Sequence, residues 1–266
     1  MFRAFYGMED NPFDKSAPTS HRYGSKDFTE MSARLKYVAE KRGIAVFTSP
    51  SGGGKTYALR CFAESLNSNL HQMAYICLST VSVVQFYQQL CAALGVPWSV
   101  SKTNMFADIQ AQLLALYKSR KPFILALDEA HELDPRILKD IKMIMNHGYD
   151  SVNTFSLLFI GEPHFNKTLE KPVHESLRQR ITVHYNFSGL SADETAAYVE
   201  KKLESVGAAA SIMGEGTLAA IHGHSQGRPR LVDSLMTDAL TLGAQLEKQV
   251  VDTDTILAAI NNQALH

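Results

Sequence analysis

No apolar run in this 266-residue chain approaches the roughly 20 residues that a membrane-spanning helix requires. Its first residues, interrupted by Arg3, Glu9, Asp10 and Asp14, hold no apolar core of signal-peptide length. These absences point to a soluble, cytoplasmic protein with no membrane partner. Cysteine is scarce. Cys61, Cys77 and Cys91 lie in apolar contexts without paired metal-ligand spacing, which reads as reduced core residues rather than a disulfide framework or a metal cluster. There is also little net charge: the formal value of −1 argues against a strongly basic nucleic-acid binder. The charge is uneven, however. Residues 189–266 carry five Lys/Arg against ten Asp/Glu and leave the preceding part at about +4, which permits a basic stripe there. Internal repeats and low-complexity segments are absent, and 45% apolar content suffices for one or two compact units.

What is present is a glycine loop. Ser49-Pro50-Ser51-Gly52-Gly53-Gly54-Lys55-Thr56 follows the apolar run Ile44 to Phe47 and precedes a helix-like stretch from Tyr57 to Leu66. Strand, small-residue loop and helix form a phosphate cradle, because only small residues let the backbone N–H groups turn inward onto a β-phosphate. In that geometry Lys55 reaches the β/γ oxygens and Thr56 holds magnesium, with Ser51 to Gly54 and Tyr57 around them. Ser49 stands where the usual pattern begins with glycine. A glycine-rich turn that happens to end in Lys-Thr is the bland alternative.

A second signal weighs against that alternative. Phe123 to Leu127 is an apolar run suited to a fully buried parallel strand, and it ends in Asp128-Glu129. Asp128 is placed to hold the magnesium ion, and Glu129 to orient and deprotonate an attacking water. Two acids after a strand are common turn residues; paired with Lys55 and Thr56 they indicate one site for ATP and Mg2+.

Apolar runs at Ile44 to Phe47, Met73 to Leu78, Phe123 to Leu127, Phe155 to Ile160 and Ile181 to Phe187 alternate with helix-period segments. This predicts an α/β fold with a doubly wound parallel sheet flanked by helices. From Ser191 the strands stop. A capping box at Ser191-Ala-Asp-Glu opens a helix from Thr195 to Ser205, and further helices are expected at Gly216 to His222, Leu231 to Leu242 and Thr253 to Asn261. The expected domains are an α/β nucleotide-binding unit, residues 1–188, and an all-helical lid, residues 189–266.

Six blocks in order carry a resemblance: Asn11-Pro12-Phe13, Gly52 to Thr56, Asp128-Glu129-Ala130-His131, Phe159 to Pro163, Leu177 to Ile181 and Gly227 to Leu231. Together they resemble AAA+ P-loop ATPases of the ExeA-like group, which joins secretion ATPases to transposition regulators of the TniB, TnsC and MuB kind.

The resemblance implies ATP hydrolysis at the subunit interfaces of a homo-oligomer, either a ring or a helical filament. It places Asn11, Pro12 and Phe13 by the base, although a turn with one buried aromatic fits them too. Arg230 corresponds to the sensor-2 arginine reaching the γ-phosphate from the lid, and an arginine at a helix start is itself unfavourable unless an anion is near. Arg178 or Arg180 corresponds to the arginine finger offered to a neighbouring subunit. Arg178 is preferred, with Arg180 left to a structural ion pair. Glu162 falls at the sensor-1 position, where a carboxylate would repel a γ-phosphate unless it contacts the water or an arginine. His131 reads as a surface-turn histidine that could alternatively couple hydrolysis to a partner.

Lys102 and Thr103, in a loop with Trp98, lie in the region facing duplex DNA in relatives that encircle it, though a solvated lysine fits as well. On this basis the expected function is a regulator of DNA transposition that assembles on duplex DNA without sequence preference and recruits or activates a transposase. The chain's end at His266, straight after the lid, favours that expectation. The alternative is a secretion or envelope-assembly ATPase acting on protein partners.

Overall fold

The computed structural model describes residues 2–77, 80–149 and 151–263. By their internal contacts the residues divide into two compact units: residues 30–51 with 55–187, and residues 1–29 with 52–54 and 188–266.

The first unit is built on a parallel sheet of five strands, β1 (Ile44–Thr48), β2 (Gln72–Ile76), β3 (Phe123–Leu127), β4 (Ser156–Gly161) and β5 (Ile181–Asn186), in the order β2-β3-β4-β1-β5. β1, β3 and β4 are buried along their whole length. That is why their sequences are continuous apolar runs: a parallel sheet covered on both faces offers its central strands no wet side. The edge strands β2 and β5 show mixed burial. The run expected from Met73 to Leu78 stops at Ile76, and Leu78 lies outside the described residues.

Helices Lys55–Ser65, Val83–Leu94, Lys102–Lys118 and Pro135–Ile144 accompany the sheet. Val83–Leu94 is delimited at both ends. Ser82 and Gln85 form a reciprocal capping box, and Gly95 closes it in the left-handed conformation. Its buried face, Phe86, Tyr87, Leu90 and Cys91, joins Phe123, Phe155 and Phe159 in the core. Of the three thiols expected there, only Cys91 is buried. Cys77 is exposed just past the end of edge strand β2, and Cys61 is partly exposed on its helix.

The segment around Lys102 also departs from expectation. It opens a helix rather than forming a loop, because Ser101 accepts the Asn104 N–H as N-cap. Lys102 in the first turn opposes the helix dipole and is compensated by Asp140, 2.7 Å away, with its Nζ 5.5 Å above the Tyr87 ring.

In the second unit, Ser191 and Glu194 form the expected capping box ahead of Ala192–Glu204, and helices Thr217–Ser225, Pro229–Gln245 and Thr253–Gln263 follow. Their apolar faces enclose Val199, Leu203, Val232, Leu235 and Met236 together with Tyr6, Met8 and Phe13 of the N-terminal segment. The first 29 residues therefore group with the helices rather than the sheet. Backbone pairing of Glu9 N–H with the Val206 carbonyl at 3.1 Å, and Tyr6 O–H on the Lys248 carbonyl at 2.9 Å, hold them there. The start of the helical segment is fastened by Asp27, whose Oδ2 accepts the N–H groups of Ser188 and Gly189 at 2.9 and 2.8 Å. Among the described residues, no helix is long and apolar enough to cross a membrane.

One ion pair in this unit is largely, though not fully, buried. Lys202 Nζ donates to Asp233 Oδ1 at 2.8 Å, and the same oxygen accepts the Tyr198 hydroxyl at 2.8 Å. Burial pushes the Asp233 carboxyl up and the Lys202 ammonium down, each opposed by the other's charge. Removing one partner strands the other in an apolar setting, at a cost of about 3–5 kcal/mol. Asp233→Leu and Lys202→Met should each lower the unfolding midpoint markedly in denaturant titrations, and the double variant should recover much of the loss.

Candidate active site

The C-terminal ends of β1, β3 and β4 converge on one edge of the sheet, and the polar residues gather there. Leaving β1, the chain passes through Ser49 and Pro50, and Lys55 returns to them. Its Nζ donates to the Ser49 carbonyl at 2.7 Å and the Pro50 carbonyl at 3.3 Å, with the residue only 8% exposed. An ammonium held among carbonyl oxygens and shielded from water is poised to exchange them for a more negative partner. Ser49, in place of the usual first glycine, is tolerated because its hydroxyl turns to the Pro50 carbonyl at 2.7 Å while its N–H pairs with the Gly161 carbonyl at 3.2 Å.

At the end of β3, Asp128 is 4% exposed and richly hydrogen-bonded. Oδ2 takes the Thr56 hydroxyl at 2.9 Å and the Tyr75 hydroxyl at 2.7 Å, and Oδ1 takes the Glu129 N–H at 2.9 Å. Burial, and then the carboxylate, push the Tyr75 hydroxyl pKa up. The adjoining Thr56 and Asp128 oxygens are the hard donors that Mg2+ prefers, so the residues fit this ion.

Glu129 sits in the left-handed region at φ 50, which costs a non-glycine residue about 1–2 kcal/mol. The turn carries its largely exposed carboxylate beyond the strand end, within reach of a water.

The remaining candidates are placed as follows. Glu162, just after β4, has its Oε2 3.7 Å from His164 Nδ1, so a histidine rather than an arginine faces the sensor-position carboxylate. Arg178, exposed at the end of a short helix, donates to the Glu170 carbonyl at 3.0 Å; Arg180 is partly exposed in the turn before β5. Tyr57 lies under the Arg60 guanidinium, 5.2 Å from ring centre, and Ser51 is exposed.

In the helical unit the Arg230 N–H donates to the Gly52 carbonyl at 3.2 Å, and its side chain is exposed. Gly52 has φ +80, and a Cβ there would meet Arg230 Cβ at 2.9 Å, so glycine is required on both conformational and steric grounds. Gly53 and Gly54 are partly exposed beside it. Asn11 Oδ1 accepts the Phe13 N–H at 3.1 Å in a local turn, while Pro12 and Phe13 are buried. The residue that sequence reasoning missed is Tyr75: a tyrosine on an edge strand carries no signal that its hydroxyl reaches Asp128.

Residues 38–169 match a family model described as an AAA domain, a span that includes Lys55, Thr56, Asp128, Glu129 and Glu162. Over 263 residues the chain is 28% identical to the General secretion pathway protein A of Aeromonas hydrophila. That alignment takes in 97% of this chain and 48% of the relative, so the chain spans about half the relative's length. Among solved structures it is similar to Drosophila ORC bound to DNA, with a TM-score of 0.73 at 14% identity over 97% of this chain and 65% of that one. It is also similar to the Aeropyrum pernix ORC2 protein in its ADPNP-ADP complexes, with a TM-score of 0.69 at 14% identity over 96% and 72% of the two chains. At such identities the structural likeness is one of fold: an α/β parallel sheet flanked by helices, followed by a helical region.

If Lys55 is the cation of the cradle, Lys55→Ala should weaken ATP binding about 10-fold to 150-fold, the range for one charge-assisted hydrogen bond, with the fold intact. Calorimetric titration with ATP and Mg2+ measures this, and an unchanged affinity would remove Lys55 from the site.

Proposed function

We propose that this chain, an ATPase of the AAA+ fold that takes ATP and Mg2+, is the ATP-driven unit of a homo-oligomeric assembly acting on protein partners in secretion or envelope construction. The observation that carries the reading is the similarity to General secretion pathway protein A over 97% of the chain. The transposition branch expected from the sequence gains no support from these relatives, which bring in no transposase. Chain length does not separate the two branches either, since an alignment over 48% of a relative suits a piece of a longer protein and a free-standing one alike.

In hydrolysis, Lys55 holds the β/γ oxygens and the loop N–H groups hold the β-phosphate. Thr56 and Asp128 hold magnesium, which when bound neutralises charge on the phosphate oxygens. Glu129 takes a proton from water, the water oxygen bonds to the γ-phosphorus, and the bond from that phosphorus to the bridging oxygen breaks to leave ADP and phosphate. Arg230 contacts the γ-phosphate from the lid of the same subunit, and Arg178 or Arg180 stabilises the transition-state charge of a neighbour.

A second reading, assembly on duplex DNA, is supported by the likeness to a structure bound to DNA. Lys102, engaged by Asp140, and Thr103, exposed in the same helical turn, are weak carriers of it.

Glu129→Gln should bind ATP as tightly as wild type and hydrolyse it about 100-fold to 10,000-fold more slowly. Held in the ATP state, it should show no ATP-dependent binding to random duplexes in fluorescence anisotropy. Saturable binding that needs ATP and falls steeply with salt would replace the protein-directed reading with the DNA one.

The subunit-interface claim has its own test. An Arg178→Ala or Arg180→Ala variant and a Lys55→Ala variant, each inactive alone, should regain partial turnover when mixed under conditions where they co-assemble. Absence of rescue would confine the arginine to its own subunit.

A further inference from the structure

We propose that His131 is a positioning residue for hydrolysis, tying the turn that carries Glu129 to the end of β4 that carries Glu162; this rests on Glu129 being the base. His131 is not the surface histidine its sequence context suggests. Its side chain is 8% exposed and lies over Gly161, where a Cβ would stand 3.4 Å from Nδ1 and 3.3 Å from the His131 backbone nitrogen. Gly161 at the end of β4 leaves the imidazole in ordinary van der Waals range of the strand, and a side chain there would crowd the His131 backbone nitrogen instead.

The ring's hydrogen bond to the Glu162 N–H defines its tautomer. Nδ1 accepts the Glu162 N–H at 3.2 Å, so in the neutral ring the proton sits on Nε2, which faces Glu132 Oε1 at 3.4 Å. His164 packs edge-on, with ring centres 4.5 Å apart. Among the described residues, the titratable groups beside the imidazole are Glu129, Glu132 and His164, with the Glu162 carboxylate 3.7 Å from His164 Nδ1.

Glu129 Oε2 lies 3.5 Å from the same Nδ1. A nitrogen already used as an acceptor offers that carboxylate no proton. It limits how far Glu129 can fold back and leaves it directed to water, while the Glu162 N–H keeps ring and strand end in register.

His131, Glu132 and His164 also place their ligand atoms within 4.8 Å of one another, as a metal triad would. The tautomer argues against that use. A metal-bound histidine donates through its distal nitrogen, whereas here the distal Nδ1 accepts and Nε2 keeps its proton.

Asparagine and glutamine separate the two ring nitrogens, since the amide oxygen of an asparagine can stand in for Nδ1 whereas the longer glutamine amide reaches towards Nε2. The experiment compares His131→Asn, His131→Gln, His131→Ala and Glu129→Gln for kcat, KM and equilibrium affinity for a non-hydrolysable ATP analogue. His131→Asn should keep kcat within about threefold. His131→Gln and His131→Ala should lose about tenfold, the worth of one ordinary hydrogen bond, with KM and analogue affinity unchanged. Equal turnover in the three His131 variants, or losses that track analogue affinity, would overturn the proposal. So would tight Zn2+ binding by wild type in calorimetry that His131→Ala abolishes. If Glu129→Gln retains full turnover, the failure lies instead with Glu129 as the base.

Discussion

A carboxylate buried at the end of a buried strand must be matched by hydrogen-bond donors or lose its charge, and Asp128 is the point where the sheet unit meets that demand. Among the described residues, its donors include Thr56 at the start of the helix after β1, Tyr75 on β2, and the backbone of Glu129 itself. One buried anion thereby draws together the cradle helix, an edge strand and the turn holding the candidate base. The left-handed backbone of Glu129 belongs to the same constraint, since its N–H closes back onto the preceding carboxylate.

β4 supplies the floor for this arrangement. The strand order puts it between β1 and β3, so the final residue Gly161 is reached from both sides. Ser49 donates to its carbonyl, and Ala130 and His131 lie close above the position where a side chain would be. The residue after β1 and the acidic turn after β3 are thus registered to one strand end by backbone contacts. This is how a parallel sheet with few loops at its carboxyl edge can hold charged groups in place for phosphoryl transfer.

The sheet was legible because its central strands are dry on both faces and write that fact as unbroken apolar runs; Phe123 to Leu127 agrees with β3 to the residue. The Ser191 capping box was legible because its two hydrogen bonds lie three residues apart. Illegible features depend on contacts distant in sequence. Phe13 is buried by helices some 200 residues later, which groups the N-terminal segment with the helical unit. His131 is covered by contacts some 30 positions on, with the Glu162 N–H and the His164 ring, and Tyr75 matters through an oxygen on the neighbouring strand. Lys102 reads as a loop residue because the apolar period of its helix begins only at Met105, one turn after the Ser101 cap.

The central claim is that Lys55, Thr56 and Asp128 are held in readiness for a nucleotide by hydrogen bonds that the nucleotide and its metal replace. The direct measurement is a crystal structure of the protein with Mg2+ and a non-hydrolysable ATP analogue. The account predicts Lys55 Nζ released from the Ser49 and Pro50 carbonyls onto phosphate oxygens, and the Thr56 hydroxyl exchanged from Asp128 to the metal. An analogue bound with both of those hydrogen bonds unchanged would contradict it.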